Sequence, residues 1–409
     1  MIRVGVLGGG SSGMAAAVVA SRNGADVTIL ERLDRVGKKL LATGNGRCNY
    51  TNETIDINRY YSSNRDLLEE CLSNISSKST IGFFNEMGIE PYYDETGKVF
   101  PYSLQASSIL EVLREEYLRY GTKEICNQRI LAVTPINSRY VVQTDLVTYE
   151  FDRIIVAMGG KAYERLGSDG SGFDLMSGLG YEMSQVYPAL VKLKSDFVHL
   201  RTLKGLKINA SVSLYSDETL IAEDSGEVLF ADYGVSGPPI LQISGIAVKE
   251  INTGKNVRIS LDMFPAISTN DMFEMLRDRF INLKHKTLKD SLIGLINKRM
   301  IIPLLKEAGI DDFLQKPTKM NRRQIYAVIK VLKDLQLNIT GFHSWADAQV
   351  TAGGVLLTGI NPRTMESYHH ENLYVIGEIL DVYGDCGGFN LHWAWNTGIK
   401  AGYNSALTR

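Results

Sequence analysis

Residues 2–31 read IRVGVLGGGSSGMAAAVVASRNGADVTILE, and this stretch decides the fold. Ile2 to Leu7 is a short apolar run suited to a buried strand. Glycines follow, then a helix of small residues from about Gly13 to Arg22, then a second apolar run, Ala25 to Glu31. A strand, a helix and a second strand within about 30 residues form one crossover unit, which requires a parallel sheet. The turn carries Gly8-x-Gly10-x-x-Gly13. Gly8 permits the tight turn, Gly10 lets the backbone approach a pyrophosphate, and Gly13 brings helix and strand together. The start of the helix adds free amides and partial positive charge. Glu31 ends the second strand, where a carboxylate accepts hydrogen bonds from adenosine ribose hydroxyls and disfavours a 2′-phosphate. The pattern gains its specificity from this context, since 38 glycines could produce an isolated match by chance.

Working outward, 409 residues suggest two or three domains. With 44% apolar and 22% charged residues, the chain is not largely disordered. A formal net charge of -2 gives no overall attraction to nucleic acid or anionic membrane. No apolar run reaches the ~20 residues a bilayer span needs. Met1 to Ala20 is apolar and carries Arg3, but glycines and serines interrupt it and no cleavage site follows, so a cytoplasmic protein is expected. Cys48, Cys71, Cys126 and Cys386 are scattered and fit reduced thiols, with no disulfide framework and no metal site.

Helical patterns are expected at about Arg65 to Met87 and Ser107 to Tyr120, and another apolar run spans Phe151 to Met158. The middle of the chain then alternates: Ala210, Val212 and Leu214, and later Val257, Ile259 and Leu261, each share one face. Alternation predicts half-buried antiparallel strands. From Ser268 the pattern is helical, with Ser268 and Asp271 as a capping arrangement and Ile325, Ile329 and Leu332 marking a later helix. Between Asp271 and Asp334 there are 14 Lys or Arg against 8 Asp or Glu. A solvated helical face accounts for this excess, with an anionic ligand as the alternative. After Ala346 the glycine-rich style returns, with an apolar strand Leu373 to Ile376 and a helix from Asn390 to Ser405. The expected domains are 1–190 with 346–409, a β-rich insert at 191–265, and a helical insert at 266–345.

FAD and NAD present the same ADP half. No second G-x-G-x-x-G occurs, and further glycine clusters lie where a flavin enzyme needs them. They are Gly44-Asn45-Gly46-Arg47-Cys48-Asn49, Ala157-Met158-Gly159-Gly160, Gly377-Glu378-x-x-Asp381, and Gly384-x-x-Gly387-Gly388-Phe389-Asn390 before a helix. Amides at a helix start can face flavin N1 and the C2 carbonyl, where reduction places negative charge. The alternative for this last cluster is a set of structural helix-start turns.

These motifs carry a resemblance over nearly the whole chain. Gly37-Lys38-Lys39-Leu40-Leu41-Ala42-Thr43 leads into the Gly44 cluster, and Val99-Phe100-Pro101 follows. Gly234-Val235-Ser236-Gly237-Pro238, Val350-Thr351-Ala352-Gly353-Gly354-Val355, Thr364-Met365-Glu366-Ser367 and the Gly377 to Asn390 stretch complete the set. The chain resembles the bacterial and archaeal NAD(P)/FAD-dependent oxidoreductases described as aminoacetone oxidase-like or dehydro-bile-acid reductase-like flavoproteins. The resemblance implies an α/β fold: a Rossmann-like, two-dinucleotide-binding-type FAD domain interrupted by a β-barrel-like domain and a helical segment. Ala231, Met158 and Ser168-Asp169-Gly170-Ser171-Gly172 depart from the family pattern.

Motif and resemblance together give the expected FAD-binding set. It comprises Gly8, Gly10, Ser11, Ser12, Gly13, Glu31, Arg32, Lys39, Gly44, Gly46, Arg47, Cys48, Asn49 and Ile130. It continues with Ala157, Met158, Gly159, Gly377, Glu378, Asp381, Gly387, Gly388, Phe389 and Asn390. Arg47 suits an anionic flavin or pyrophosphate, or else a loop ion pair. Cys48, with no cysteine nearby in sequence, suits packing better than redox work. Reduction of a C=C or C=N bond also needs a proton donor. Tyr233, Tyr383 and His392 adjoin the motifs, although His392 beside Trp393 and Trp395 equally fits a buried structural histidine. The expected function is FAD-dependent reduction of an activated C=C bond in an apolar, steroid-like small molecule, with NADH or NADPH as transient electron donor. The alternatives are an amine or aminoketone oxidase releasing hydrogen peroxide, and an RNA-associated or non-catalytic flavoprotein. No membrane partner is expected, nucleic acid is disfavoured, and the oligomeric state cannot be read from the sequence.

Overall fold

The computed structural model describes residues 1–408 except Asn74. β1 (Arg3–Leu7) leads into α1 (Ser11–Arg22) and β2 (Asp26–Leu30). β1 and β2 pair in parallel, Val4 against Val27 and Val6 against Ile29. A five-stranded parallel sheet grows from this pair, in the order Leu373–Val375, Arg153–Val156, β1, β2, Lys123–Ile125. The strands beside β1 are buried on both faces, which explains their unbroken apolar runs.

Two compact units are present, Met1–Pro188 with Trp345–Arg409, and Ala189–Ser344. In the first, the chain end packs on the chain beginning. The C-terminal helix, Phe389–Ala406, presents glycines to α1. A Cβ at Gly398 would lie 2.4 Å from the Ser12 carbonyl oxygen, and one at Gly402 would lie 2.5 Å from that of Ala16. Ala15, Ala16, Ala17 and Ala20 of α1 are fully buried. Small residues on both helices therefore allow an interaxial approach that larger side chains would block. A three-stranded antiparallel sheet, Ile130–Ile136, Arg139–Thr144 and Thr148–Phe151, connects into the strand Arg153–Val156 of the parallel sheet. The expected helix from Arg65 to Met87 is two helices, Arg65–Leu72 and Ser77–Asn85. Ser76 breaks the run by forming a capping box with Ser79 at the start of the second.

The second unit contains a closed six-stranded barrel, as the fold expectation required. Going round it, the strands are Leu193–Ser195, Gly234–Ser236, Thr219–Phe230, Lys207–Ser216, Val257–Asp262 and Leu335–Phe342. The helical segment Thr269–Lys333 lies in sequence between two hydrogen-bonded neighbours, with Val257 opposite Ile339 and Leu261 opposite Leu335. The structure thus differs from a β-rich 191–265 followed by a helical 266–345. The strand Leu335–Phe342 belongs to the barrel, and the helix Pro238–Asn252 lies within the β-rich part. Leu335, Leu337 and Ile339 are buried on alternate positions, the same period that identified the other barrel strands. Among the described residues no helix is long and apolar enough to cross a membrane.

The close approach of α1 and the C-terminal helix gives a stability prediction. Gly402→Ala should destabilise the protein by about 1–3 kcal/mol through overpacking against α1. Chemical denaturation measures this, and an unchanged midpoint would contradict the packing described.

Candidate functional site

The β1–α1 turn shows how the fingerprint glycines divide their work. Gly8 has φ +113, and a Cβ there would sit 2.5 Å from the Ala157 carbonyl oxygen. A Cβ on Gly13 would lie 2.0 Å from the carbonyl oxygen of Gly8. Both glycines are therefore required by the protein's own backbone. Gly10 is different. It caps α1 without offering any side chain to the helix amides, and a Cβ there would meet no protein atom within 4 Å. The space beside it belongs to a cleft of about 1220 Å³, counted to its open mouth.

The N-terminal segment gives this cleft Gly8, Gly10, Ser11, Ser12, Glu31, Arg32 and Lys39 from the expected set. Ile130, Ala157, Met158 and Gly159 join them from the middle of the chain, and Glu378 and Asn390 from its end. Glu31 is anchored by two amides: Gly9 N donates to Oε2 and Leu33 N donates to Oε1, each at 2.8 Å. Burial raises its pKa, and these amide hydrogen bonds oppose that shift. Each carboxylate oxygen keeps a further lone pair, so the anchored group can still accept from a ribose diol. Arg32 pairs with Asp169 at 3.0 Å. Lys39 pairs with Glu378 at 2.7 Å, and the other carboxylate oxygen of Glu378 accepts from Thr351 N at 2.8 Å. Asn390 clasps one residue in both directions, taking Gly384 N on Oδ1 and donating from Nδ2 to Gly384 O.

Sequence reasoning did not include Gly9, Arg35, Gly37, Lys38, Gln128, Arg129, Ser168 or Trp393, all of which line the cleft. Gly37 and Lys38 had a signal, since they open the Gly37 to Asn49 motif. Gln128 and Arg129 lie outside every motif and reach the cleft only because the chain turns there after the edge strand Lys123–Ile125. With Arg32, Arg35, Lys38, Lys39 and Arg129 against Glu31 and Glu378, the walls are net positive. Exposed helix amides, a cationic wall, an acid at the end of β2 and free space at Gly10 together fit the ADP half of FAD.

The remaining expected residues lie away from the cleft wall. Gly13 is inside the β1–α1 junction. Gly44 and Gly46 shape an exposed left-handed turn, and Arg47 lies over the Phe100 ring at 5.3 Å. Cys48 is fully buried, and burial pushes its thiol up to about 12, so it remains a packed thiol. Asn49 follows it and contributes no atom to the wall. Gly377 opens the 3-10 turn Gly377–Ile379 close against α1, since a Cβ would fall 2.6 Å from Ser12 Oγ. Asp381 accepts from Ser63 N at 3.0 Å. Gly387 O takes a hydrogen bond from Asn52, Gly388 closes on the Thr51 backbone, and Phe389 packs edge-on against Tyr60. These residues build the start of the C-terminal helix, and Asn390 alone among them reaches the cleft.

The three proton-donor candidates have different surroundings, and none of them lines the cleft. Tyr233 belongs to the barrel unit, in ring contact with His343 at 4.0 Å. Tyr383 is buried, stacks on Tyr61 at 4.7 Å, and shares a hydrogen bond with Tyr187. Burial raises its phenol well above the ordinary range, so it holds its proton at neutral pH. His392 is corrected as an acid. It is fully buried, with Nδ1 2.8 Å from Thr51 Oγ1 and 3.2 Å from Thr80 Oγ1. Burial lowers its pKa to about 3, which makes it a neutral core histidine at working pH.

Two predictions follow from this geometry. Gly10→Val should fold yet lose bound FAD, which the ratio of flavin to protein absorbance measures; full occupancy would place the cofactor elsewhere. For His392 the sign runs one way. The unfolded chain takes up a proton below about pH 6.5 while the folded protein does not, so stability falls as pH drops toward 3. The full effect is roughly 5 kcal/mol at 1.36 kcal/mol per unit. His392→Gln should flatten that part of the stability profile, as read by denaturant melts between pH 6.5 and 4; a slope equal to that of the unmodified protein would contradict the assignment.

Comparison with known proteins agrees with this architecture. The family model for the HI0933-like protein Rossmann domain matches residues 2–404. The chain is 36% identical over 408 residues to a 3-dehydro-bile acid delta(4,6)-reductase of Clostridium scindens, covering 99% of each. It is 28% identical over 397 residues to a ribosomal RNA dihydrouridine synthase of Escherichia coli, covering 96% of this chain and 95% of that one. The fold is shared with 3-ketosteroid-delta4-(5alpha)-dehydrogenase from Rhodococcus jostii, with a TM-score of 0.51 at 14% identity over 100% and 97% of the two chains. The chain belongs to the HI0933-like Rossmann family and is a flavoprotein oxidoreductase of the FAD type.

Proposed function

We propose that the protein reduces a ring C=C bond conjugated with a carbonyl group, using bound FAD recharged by NADH or NADPH. The observation that carries this reading is the near-complete alignment with two differently named enzymes whose named reactions share one step. Saturating a delta(4,6)-unsaturated 3-oxo ring and forming dihydrouridine both add hydrogen across an alkene polarised by a carbonyl. The substrate on the first reading is a flat, apolar small molecule of the 3-oxo-steroid type, following the relative with the higher identity.

Bound FAD supplies the hydride. The chain's residues bind and orient: the α1 amides and cationic wall hold the diphosphate, Glu31 holds the ribose, and Asn390 fixes the turn at Gly384 beside the cleft. A second reading, with a uracil of RNA as the reduced ring, is favoured by the basic segment between Asp271 and Asp334.

Anaerobic addition of NADH or NADPH to the flavin-loaded protein should bleach the oxidised-flavin band near roughly 450 nm. A 4-en-3-one steroid should then restore it. Bleaching without reoxidation by any enone would refute the proposed acceptor class, and rapid reoxidation only by oxygen, with peroxide release, would make the protein an oxidase.

A further inference from the structure

The 14 basic residues between Asp271 and Asp334 are unevenly neutralised in three dimensions. Five of the eight acids are committed locally. Glu274 and Asp278 both pair with Arg277, and Asp271 accepts from Ser268 Oγ at 2.6 Å. Asp290 accepts from Thr287 Oγ1 at 2.6 Å, and Asp312 takes the amides of Leu314 and Gln315. In contrast, Lys284, Lys286, Lys316, Lys319, Arg322 and Arg323 form no ion pair among the described residues. All but Lys286 are exposed.

Contacts tie the segments that carry these charges to one another within the barrel unit. Lys284 and Lys286 follow the helix Thr269–Asn282, and Lys316 and Lys319 flank or end the turn Pro317–Lys319. The two segments are stitched by Leu288 N donating to Gln315 O at 2.8 Å and Lys316 Nζ donating to His285 O at 3.0 Å. Arg322 and Arg323 open the helix Arg322–Lys333. That helix joins Thr269–Asn282 through Phe273 and Tyr326, whose rings stack at 4.8 Å and 15°. The Arg322 guanidinium lies over both rings, at 5.5 and 5.6 Å. Clustered cations beside a half-buried aromatic pair capped by arginine combine a polyanion track with a stacking platform. In a chain of net charge -2, such a local concentration of unpaired positive charge has a cost in self-repulsion that a bound polyanion removes.

We propose that this surface docks the sugar–phosphate backbone of RNA. The choice of RNA over DNA rests on the second reading above, in which a uracil is reduced; the surface by itself requires a polyanionic backbone. The test uses full-length, FAD-loaded protein and a fluorescein-labelled, uridine-containing RNA hairpin, with anisotropy titrations from about 50 to 200 mM KCl. Binding should weaken steeply with salt, because each neutralised phosphate releases counterion. The variant K284E/K286E/K316E/K319E should lose at least tenfold in affinity and show a shallower salt slope. The charge-matched variant K194E/K204E/K207E/K249E, altered on two barrel strands, a loop and the helix Pro238–Asn252, should bind with near-normal affinity.

No salt-dependent binding, equal losses in both variants, or equal affinity for vesicles containing phosphatidylglycerol would each overturn the proposal. Flavin bleaching by NADH or NADPH should be unchanged in both variants. If RNA binds at this surface but no dihydrouridine forms, the uracil reading fails while the docking surface stands. If binding fails while a steroid enone is still reduced, the docking proposal fails and the first substrate reading stands.

Discussion

The dinucleotide unit depends on one steric constraint: α1 must be thin enough for three other backbones to reach it. Gly13 brings it onto the β1 turn, Gly377 admits the turn Gly377–Ile379 beside Ser12, and Gly398 and Gly402 admit the last helix. A Cβ at any of these positions would lie between 2.0 and 2.6 Å from a backbone or side-chain oxygen. These contacts place Glu378 and Asn390 in the same cleft as Gly10, although hundreds of residues separate them in sequence. Without them the diphosphate-binding turn and the helix start near Asn390 would not share a wall.

The electrostatics of the cleft are set by pairs that leave selected charges available. Lys39 and Glu378 neutralise each other, as do Arg32 and Asp169. Arg35 and Arg129 line the same cleft without an ion pair among the described residues. An anion entering here therefore meets uncommitted guanidinium groups, while the paired residues keep their positions before and after binding. The core around Thr51, Thr80, His392 and Asn396 is polar but performs a different task. Its hydrogen bonds fix the C-terminal helix against the strand Thr51–Asn52 and the helix Ser77–Asn85, in surroundings that keep the imidazole neutral.

Much of this was legible from period and spacing. The β1–α1–β2 unit followed from two apolar runs around a glycine turn, and the barrel from alternation. The strand Leu335–Phe342 carries the same alternation, but it follows directly on a strongly amphipathic helix and was absorbed into it. In the site, residues contributed by the fingerprint itself were the readable ones, because there the backbone reaches the ligand. Motif glycines such as Gly44, Gly387 and Gly388 were harder to place. Their spacing records a need for unusual backbone, and the structure shows that this need arises from turns and from close passage against Thr51. Gln128 and Arg129 illustrate the converse, since tertiary folding alone brings them to the wall.

The helical segment of the barrel unit leaves from Asp262 and returns at Leu335, the ends of two strands already hydrogen-bonded to each other. A segment whose two ends are fixed side by side can lengthen at an entropic cost that grows only logarithmically with its size. The strand pairing therefore fixes where the inserted segment begins and ends, and closure entropy sets its length only weakly.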